Sequence, residues 1–150
     1  MKLAIVKSEF NKNISNNLQE GVKHTYESLF DKTVRWNDEV SIYCVPGAFE
    51  IPGFINHLLK KNINFDAIIS IGSIIKGETA HFEYISKSVT DGIAEISRRE
   101  STNIPVIFGI LTAYNYEQAL DRSDLNKKNK GGEIMKATFD IVQLYNKNKK

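Results

Sequence analysis

The stretch IIKGETAHFEY, residues 74–84, sets a glycine, a hydroxyl and an imidazole at alternate positions: Gly77, Thr79 and His81. Residues of these types suit anion binding beside proton transfer. A glycine lets backbone approach an anion closely, and the first turn of a helix beginning near His81 offers N–H groups with no intrahelical partner. The threonine hydroxyl adds a donor beside them. An imidazole titrates near neutrality, so His81 at such a place is suited to taking up and returning protons. Two plainer readings fit the same residues, a capped helix start for 77–81 and an ordinary helix-start histidine at 81. Glu78 must point away from any phosphate held there, because like charges repel. His24 and His57 fall inside helical periodicity, where an ordinary surface or core role applies. The histidines and the lone Cys44 have no ligand spacing, so no metal site is expected. Cys44 lies mid-strand and reads as core, with a nucleophilic Cys44–His81 pair as the weaker alternative.

These residues need elements to hold them, and the hydrophobic periodicity supplies an alternating series. LAIVK (3–7) reads as a buried strand. A helix over 14–30 follows, with Leu18, Val22, Tyr26 and Leu29 on one stripe. VSIYCV (40–45) is a strand stopped by Pro46-Gly47, and a helix over 50–61 carries Phe54, Ile55, Leu58 and Leu59. Pro52 is tolerable there because it falls in the first turn, where its missing N–H costs nothing. AIISIG (67–72) and PVIFGIL (105–111) are nearly continuous apolar runs, the pattern of strands buried on both faces. Between them the spacing predicts a helix over 81–100. A short helix opens at Asn115, where Gln118 completes a capping box, and a last helix covers 130–145.

Strand and helix alternating at these lengths predict a single α/β domain over 1–150. Its architecture is a three-layer α/β/α sandwich, a mainly parallel sheet flanked by helices on both faces. In such sheets ligands bind beyond the carboxyl ends of the strands. That rule selects four segments: 8–11, 46–50, 72–81 and 112–115.

The composition excludes several other classes. At 150 residues with 41% hydrophobic content the chain supports one core. A net charge of +2 is too balanced for nucleic-acid binding by bulk attraction, and the lysines at 127, 128 and 130 and in the tail NKNKK carry no function on charge alone. With a single cysteine, no signal peptide and no bilayer-length apolar run, a reducing cytoplasm is the expected compartment, with no membrane partner. No G-x-G-x-x-G follows the first strand and no G-x-x-x-x-G-K-[ST] occurs, so nucleotide binding is weakly supported. A receiver domain would want an aspartate where the third strand ends in SIGS. A flavin module stays open on pattern.

Five segments in order, VPGAFEIP (45–52), GSIIKGETAHFEY (72–84), PVIFGILT (105–112), EQALDRS (117–123) and NKGGE (129–133), closely resemble the lumazine synthase family. The resemblance implies a flavodoxin-like subunit and a cofactor-free condensation of 5-amino-6-(D-ribitylamino)uracil with 3,4-dihydroxy-2-butanone 4-phosphate. The products are 6,7-dimethyl-8-ribityllumazine and phosphate, in the penultimate step of riboflavin biosynthesis. It implies His81 as the proton-transfer residue and Gly77, Thr79, Ala80 and Arg122 as the phosphate site. Phe10 would stack on the uracil, Glu50 would accept from ribityl hydroxyls, and Asn11, Ala48, Phe49, Ser73, Ile74 and Ile75 would complete that subsite. Phe108, Arg122 and Lys130 match residues that a neighbouring subunit contributes, with Glu133 as an intrahelical partner for Lys130.

The resemblance therefore also implies a homo-oligomer with interfacial sites, a pentamer or a pentamer-based assembly. The chain starts two residues before its first strand, and the loop SDLNKKNKGG (123–132) has no glycine before Gly131. Both departures lead to the expectation of a pentamer or a pair of pentamers rather than an icosahedral shell. Two rival readings share the architecture. A ligand carrier without turnover is disfavoured by intact His81, Arg122 and Lys130, and a riboflavin synthase of the same fold is disfavoured by GAFEIP and GETAHFEY.

Overall fold

Parallel strands can be joined only by long crossovers, and the chain provides one after each strand. β1 (Leu3–Ser8) leads into α1 (Lys12–Leu29), and the short α2 (Trp36–Glu39) leads to β2 (Val40–Val45). A 3-10 turn at Ala48–Glu50 runs into α3 (Ile51–Lys60), whose Pro52 sits in the first turn as expected. β3 (Ala67–Ile75) precedes α4 (His81–Ser97), and β4 (Val106–Ala113) precedes α5 (Tyr116–Ser123) and α6 (Lys130–Lys147). In this computed structural model, which describes residues 1–30, 33, 35–61 and 63–148, the strands form one sheet in the order β2-β1-β3-β4. Every pairing is parallel. Lys149 and Lys150 of the basic tail lie outside the described residues.

Each face of the sheet buries its own core. Leu3, Ile5, Ile69 and Ile71 point to α1 and α6, while Ala4, Val6, Ile68 and Ile110 point to α3 and α4. The alternation along β1 and β3 follows from the two-residue period of a strand. Full burial of an Ile or Leu side chain contributes about 1.5–3 kcal/mol, which is what holds the layers together. The first core is extended by an aromatic cluster. Tyr26 packs on Phe30 at 4.5 Å and on Trp36 at 5.4 Å, and Phe30 meets Phe139 at 5.8 Å, which ties α1, α2 and α6.

The structure departs from the sequence expectations in four places. β4 is an edge strand whose Ile110 and Leu111 are buried on opposite faces as expected, but within the same run Phe108 is 42% exposed. β2 is the other edge, which leaves Cys44 exposed rather than in the core. A continuous apolar run signals two covered faces but cannot reveal which strands end up at the rim. β3 and β4 also continue past their expected ends. Gly72 to Ile75 pair with Ile110 to Ala113, and the Lys76 N–H donates to the Ala113 carbonyl at 2.9 Å. Ser73, Ile74 and Ile75 are therefore strand residues, not loop residues. The capping box at Asn115 is half formed: its side chain accepts from the Gln118 N–H at 2.8 Å, but Gln118 reaches one residue further back and accepts from the Tyr114 N–H at 2.9 Å.

Candidate active site

Chain progression reverses between β1 and β3, since β2 lies on one side of β1 and β4 on the far side of β3. The segments leaving adjacent strands at that point diverge to opposite faces and open a crevice at the carboxyl ends. A cavity of about 400 Å³ occupies this place.

Its walls come from three strand ends. After β1, the Glu9 N–H donates to Val45 O at 2.8 Å and the Phe10 N–H to Pro46 O at 3.0 Å, which binds the first two exits together. Asn11 then turns left-handed (φ 55°) to start α1, a conformation that asparagine tolerates better than most residues. Phe10 and Asn11 line the cavity beside Gly47, Ala48 and Phe49. Phe10 is 69% exposed and Phe49 57% exposed, so two aromatic rings stand at the mouth with faces free to stack. Ser73, Ile74 and Ile75 of β3 form another wall, and the Ser73 hydroxyl is buried with no hydrogen-bond partner among the described residues. The Glu50 carboxylate accepts from the Gly47 N–H at 2.9 Å and fixes the turn before α3.

The remaining wall is the stretch that opened the sequence reading. Gly77, Thr79 and His81 all line the cavity. Their segment between β3 and α4 is exposed, and the Thr79 hydroxyl accepts from the His81 N–H at 3.4 Å. α4 does begin at His81, and His81, Phe82 and Ile85 of its start line the cavity. Glu78 is exposed and does not line the cavity.

Glu50 and Ala80 flank the cavity without lining it, and three of the expected residues lie elsewhere in the subunit. Phe108 pairs with Ser70, whereas Ile74 pairs with Thr112. Phe108 therefore lies four residues down the sheet, roughly 13 Å at 3.3 Å per residue. Arg122 is on α5, which packs through Ala119 into the core on the α1 and α6 face. Lys130 opens α6, where its ammonium meets Glu133 at 2.6 Å as the spacing predicts. The sequence reading selected the segment 46–50 without singling out Gly47, and it missed Phe82 and Ile85, of which Ile85, one turn on from His81, was open to helical arithmetic.

Cys44 stays outside the cavity. Burial and a hydrogen bond to Glu9 push its thiol pKa up, while that bond and Lys12 hold Glu9 below the usual carboxylate range. Cys44 is on edge strand β2 and does not line the cavity that His81 lines, which argues against a Cys44–His81 pair. Among the described residues no group of three or more His, Cys, Asp or Glu could hold a metal ion, and no helix is long and apolar enough to cross a membrane.

An all-parallel α/β sandwich with helices on both faces and an aromatic-mouthed cavity at its switch point defines a flavodoxin-like fold. The family model described as 6,7-dimethyl-8-ribityllumazine synthase matches residues 1–146, and the chain belongs to that family. It is a transferase of riboflavin biosynthesis, joining 5-amino-6-(D-ribitylamino)uracil to 3,4-dihydroxy-2-butanone 4-phosphate with release of phosphate.

Proposed function

We propose that the cavity at the β1/β3 switch point is the condensation site, and that it is completed by a second copy of the chain. The carrying observation is a division of the expected residues. Phe10, Asn11, Ala48, Phe49, Ser73, Ile74, Ile75, Gly77, Thr79 and His81 line one cavity, while Phe108, Arg122 and Lys130 lie away from it. A head-to-tail ring brings such separated halves together at every interface, which supports a homopentamer or a pentamer-based assembly.

In this reading the uracil stacks on Phe10, its polar edge meets the Ser73 hydroxyl and the β3 backbone, and Glu50 and Asn11 take ribityl hydroxyls. Gly77, Thr79 and Ala80 hold the phosphate with N–H and O–H donors that need no reorganisation as it leaves. Arg122 of the neighbour adds a guanidinium fork matched to phosphate oxygens. Lys130 of the neighbour, braced by Glu133, and Phe108 close the uracil side. The uracil's amine attacks the ketone to give an imine and water. Phosphate elimination follows, then ring closure by the ribityl-bearing nitrogen on the remaining carbonyl with loss of a second water, and His81 shuttles protons throughout. The chain acts as one domain over 1–150. Its lone cysteine supports a cytoplasmic compartment.

The test is complementation. His81→Ala and Arg122→Ala chains are refolded together in equal amounts and assayed for the fluorescent lumazine. If sites are shared, roughly a quarter of them pair an intact His81 with an intact Arg122, because all interfaces of a closed ring are equivalent. Activity then rises well above either parent. Co-assembled chains without recovery would refute the shared site.

A further inference from the structure

The segment 76–83 leaves the sheet and returns as α4, and among the described residues the hydrogen bonds of 77–80 are local ones, from the His81 N–H to the Thr79 hydroxyl and from the Tyr84 N–H to the Ala80 carbonyl. A methyl group built on Gly77 would meet no atom within 4 Å, and residues 76 to 81 are all exposed. Both ends, however, converge on one side chain from another loop. The Lys76 ammonium lies over the Tyr114 ring, 5.9 Å from its centroid, and the Phe82 ring stands 6.5 Å from the same centroid at 42°. Both distances fall within the ranges where a cation and a second ring are attracted to an aromatic face. Lys76 also approaches the Glu83 carboxylate at 4.0 Å, so the bracket joins the start of the segment to the first turn of α4. Tyr114 is itself held. Its N–H donates to Gln118 Oε1, and the residue before it accepts from the Lys76 N–H.

We propose that Tyr114 is a positioning residue for the phosphate substrate, its ring clamping Lys76 and Phe82 so that Gly77 to Ala80 are held ready around the leaving phosphate. The inference rests on the phosphate placement proposed above. A segment anchored only at its ends must become ordered on binding, and fixing those ends lowers that entropy cost. The effect belongs to ground-state capture of the phosphate compound, because the ring touches neither reacting centre. Tyr114 is 71% exposed, so replacing it leaves the core intact.

Steady-state kinetics with each substrate varied in turn decide the matter. Tyr114→Leu is expected to raise KM for the phosphate substrate about fivefold, the scale of one exposed cation–π contact with a ring pair, with kcat and the uracil KM unchanged. Tyr114→Phe keeps the ring and should match the parent. Lys76→Gln should raise the same KM, and the double variant should be no worse than the poorer single, since both break one clamp. An unchanged KM in Tyr114→Leu, an equal rise for both substrates, additive effects, or a changed sedimentation coefficient would each overturn the proposal. Thr79→Ala separates the two levels. If it too leaves the phosphate-substrate KM unchanged, the phosphate placement is wrong; if it raises KM while Tyr114→Leu does not, only the clamp is wrong.

Discussion

Gly131→Ala opposes two effects of known size, and the structure decides between them. Alanine is about 1 kcal/mol better than glycine inside a helix, so propensity alone makes the substitution stabilising. The new methyl would lie 2.1 Å from the Leu18 carbonyl oxygen and 2.9 Å from the Gly21 Cα. Reaching ordinary contact at 3.4 Å from the Leu18 oxygen requires a move of 1.3 Å, the difference between 3.4 Å and 2.1 Å. Neither neighbour is a side chain that can swing away, so α1 and α6 must part. Overpacking of this kind costs about 1–3 kcal/mol or more, and we expect a net loss of about 1–2 kcal/mol. Gly53→Ala is the matched control. It is exposed in α3 with nothing within 4 Å of its built Cβ, and should gain about 0.5–1 kcal/mol. Urea midpoints at one fixed protein concentration measure both, because any self-association would make apparent stability concentration-dependent. Lys130 adjoins Gly131 and would move with it. A displacement near 1 Å costs on the order of a hundredfold in turnover when a positioned group is involved. A Gly131→Ala protein as stable as its parent would refute the backbone-contact reasoning, whatever its activity.

Three further outcomes can be checked directly. His81→Ala should slow turnover about a hundredfold, the low end for general acid–base catalysis, because amine–ketone condensation proceeds without an enzyme; a loss of only twofold in single-turnover assays would remove His81 from proton transfer. Arg122→Ala should raise KM for the phosphate substrate and spare uracil binding measured by fluorescence quenching, and an unchanged KM would strike it from the phosphate site. The Tyr26 hydroxyl, which donates to Met1 O at 3.0 Å, has its pKa pushed from 10.0 up to about 12 by burial and then by the Glu39 and Asp66 carboxylates. A raised folded-state pKa gives stability that is complete below the unfolded value and lost as pH rises through the folded one. The chain should thus lose about 2–3 kcal/mol between pH 10 and 12. Equilibrium unfolding across that range should be flatter in Tyr26→Phe, and equal slopes would contradict the assignment.

How much was legible beforehand depends on what each feature is made of. Period-two and period-3.6 patterns located every strand and the longer helices, because the burial that organises them is written locally in residue type. The short α2 passed unnoticed, four residues being too few to establish a helical period. The rule that parallel sheets bind ligands at their carboxyl ends picked out 8–11, 46–50 and 72–81, and all three contribute to one cavity. The fourth segment, 112–115, does not line it, because β4 continues to Ala113 and its exit carries Tyr114 to the outside of the loop instead. Pattern alone could not assign the sheet's edges, since strand order is a property of pairing between distant segments. Cys44 was misread as core for that reason.

By itself, then, the sequence determined the alternating elements, the end of the sheet where the cavity lies, and the motif order that identifies the family. Those features depend on residue type and short spacing. The tertiary structure decided which strands form the rim, that β3 carries Ser73 to Ile75 into the cavity wall, and that Tyr114 gathers Lys76 and Phe82. It also separated Phe108, Arg122 and Lys130 from the cavity their motifs suggest. Each of these is a distance between residues remote in the chain, set by how the layers close over the sheet.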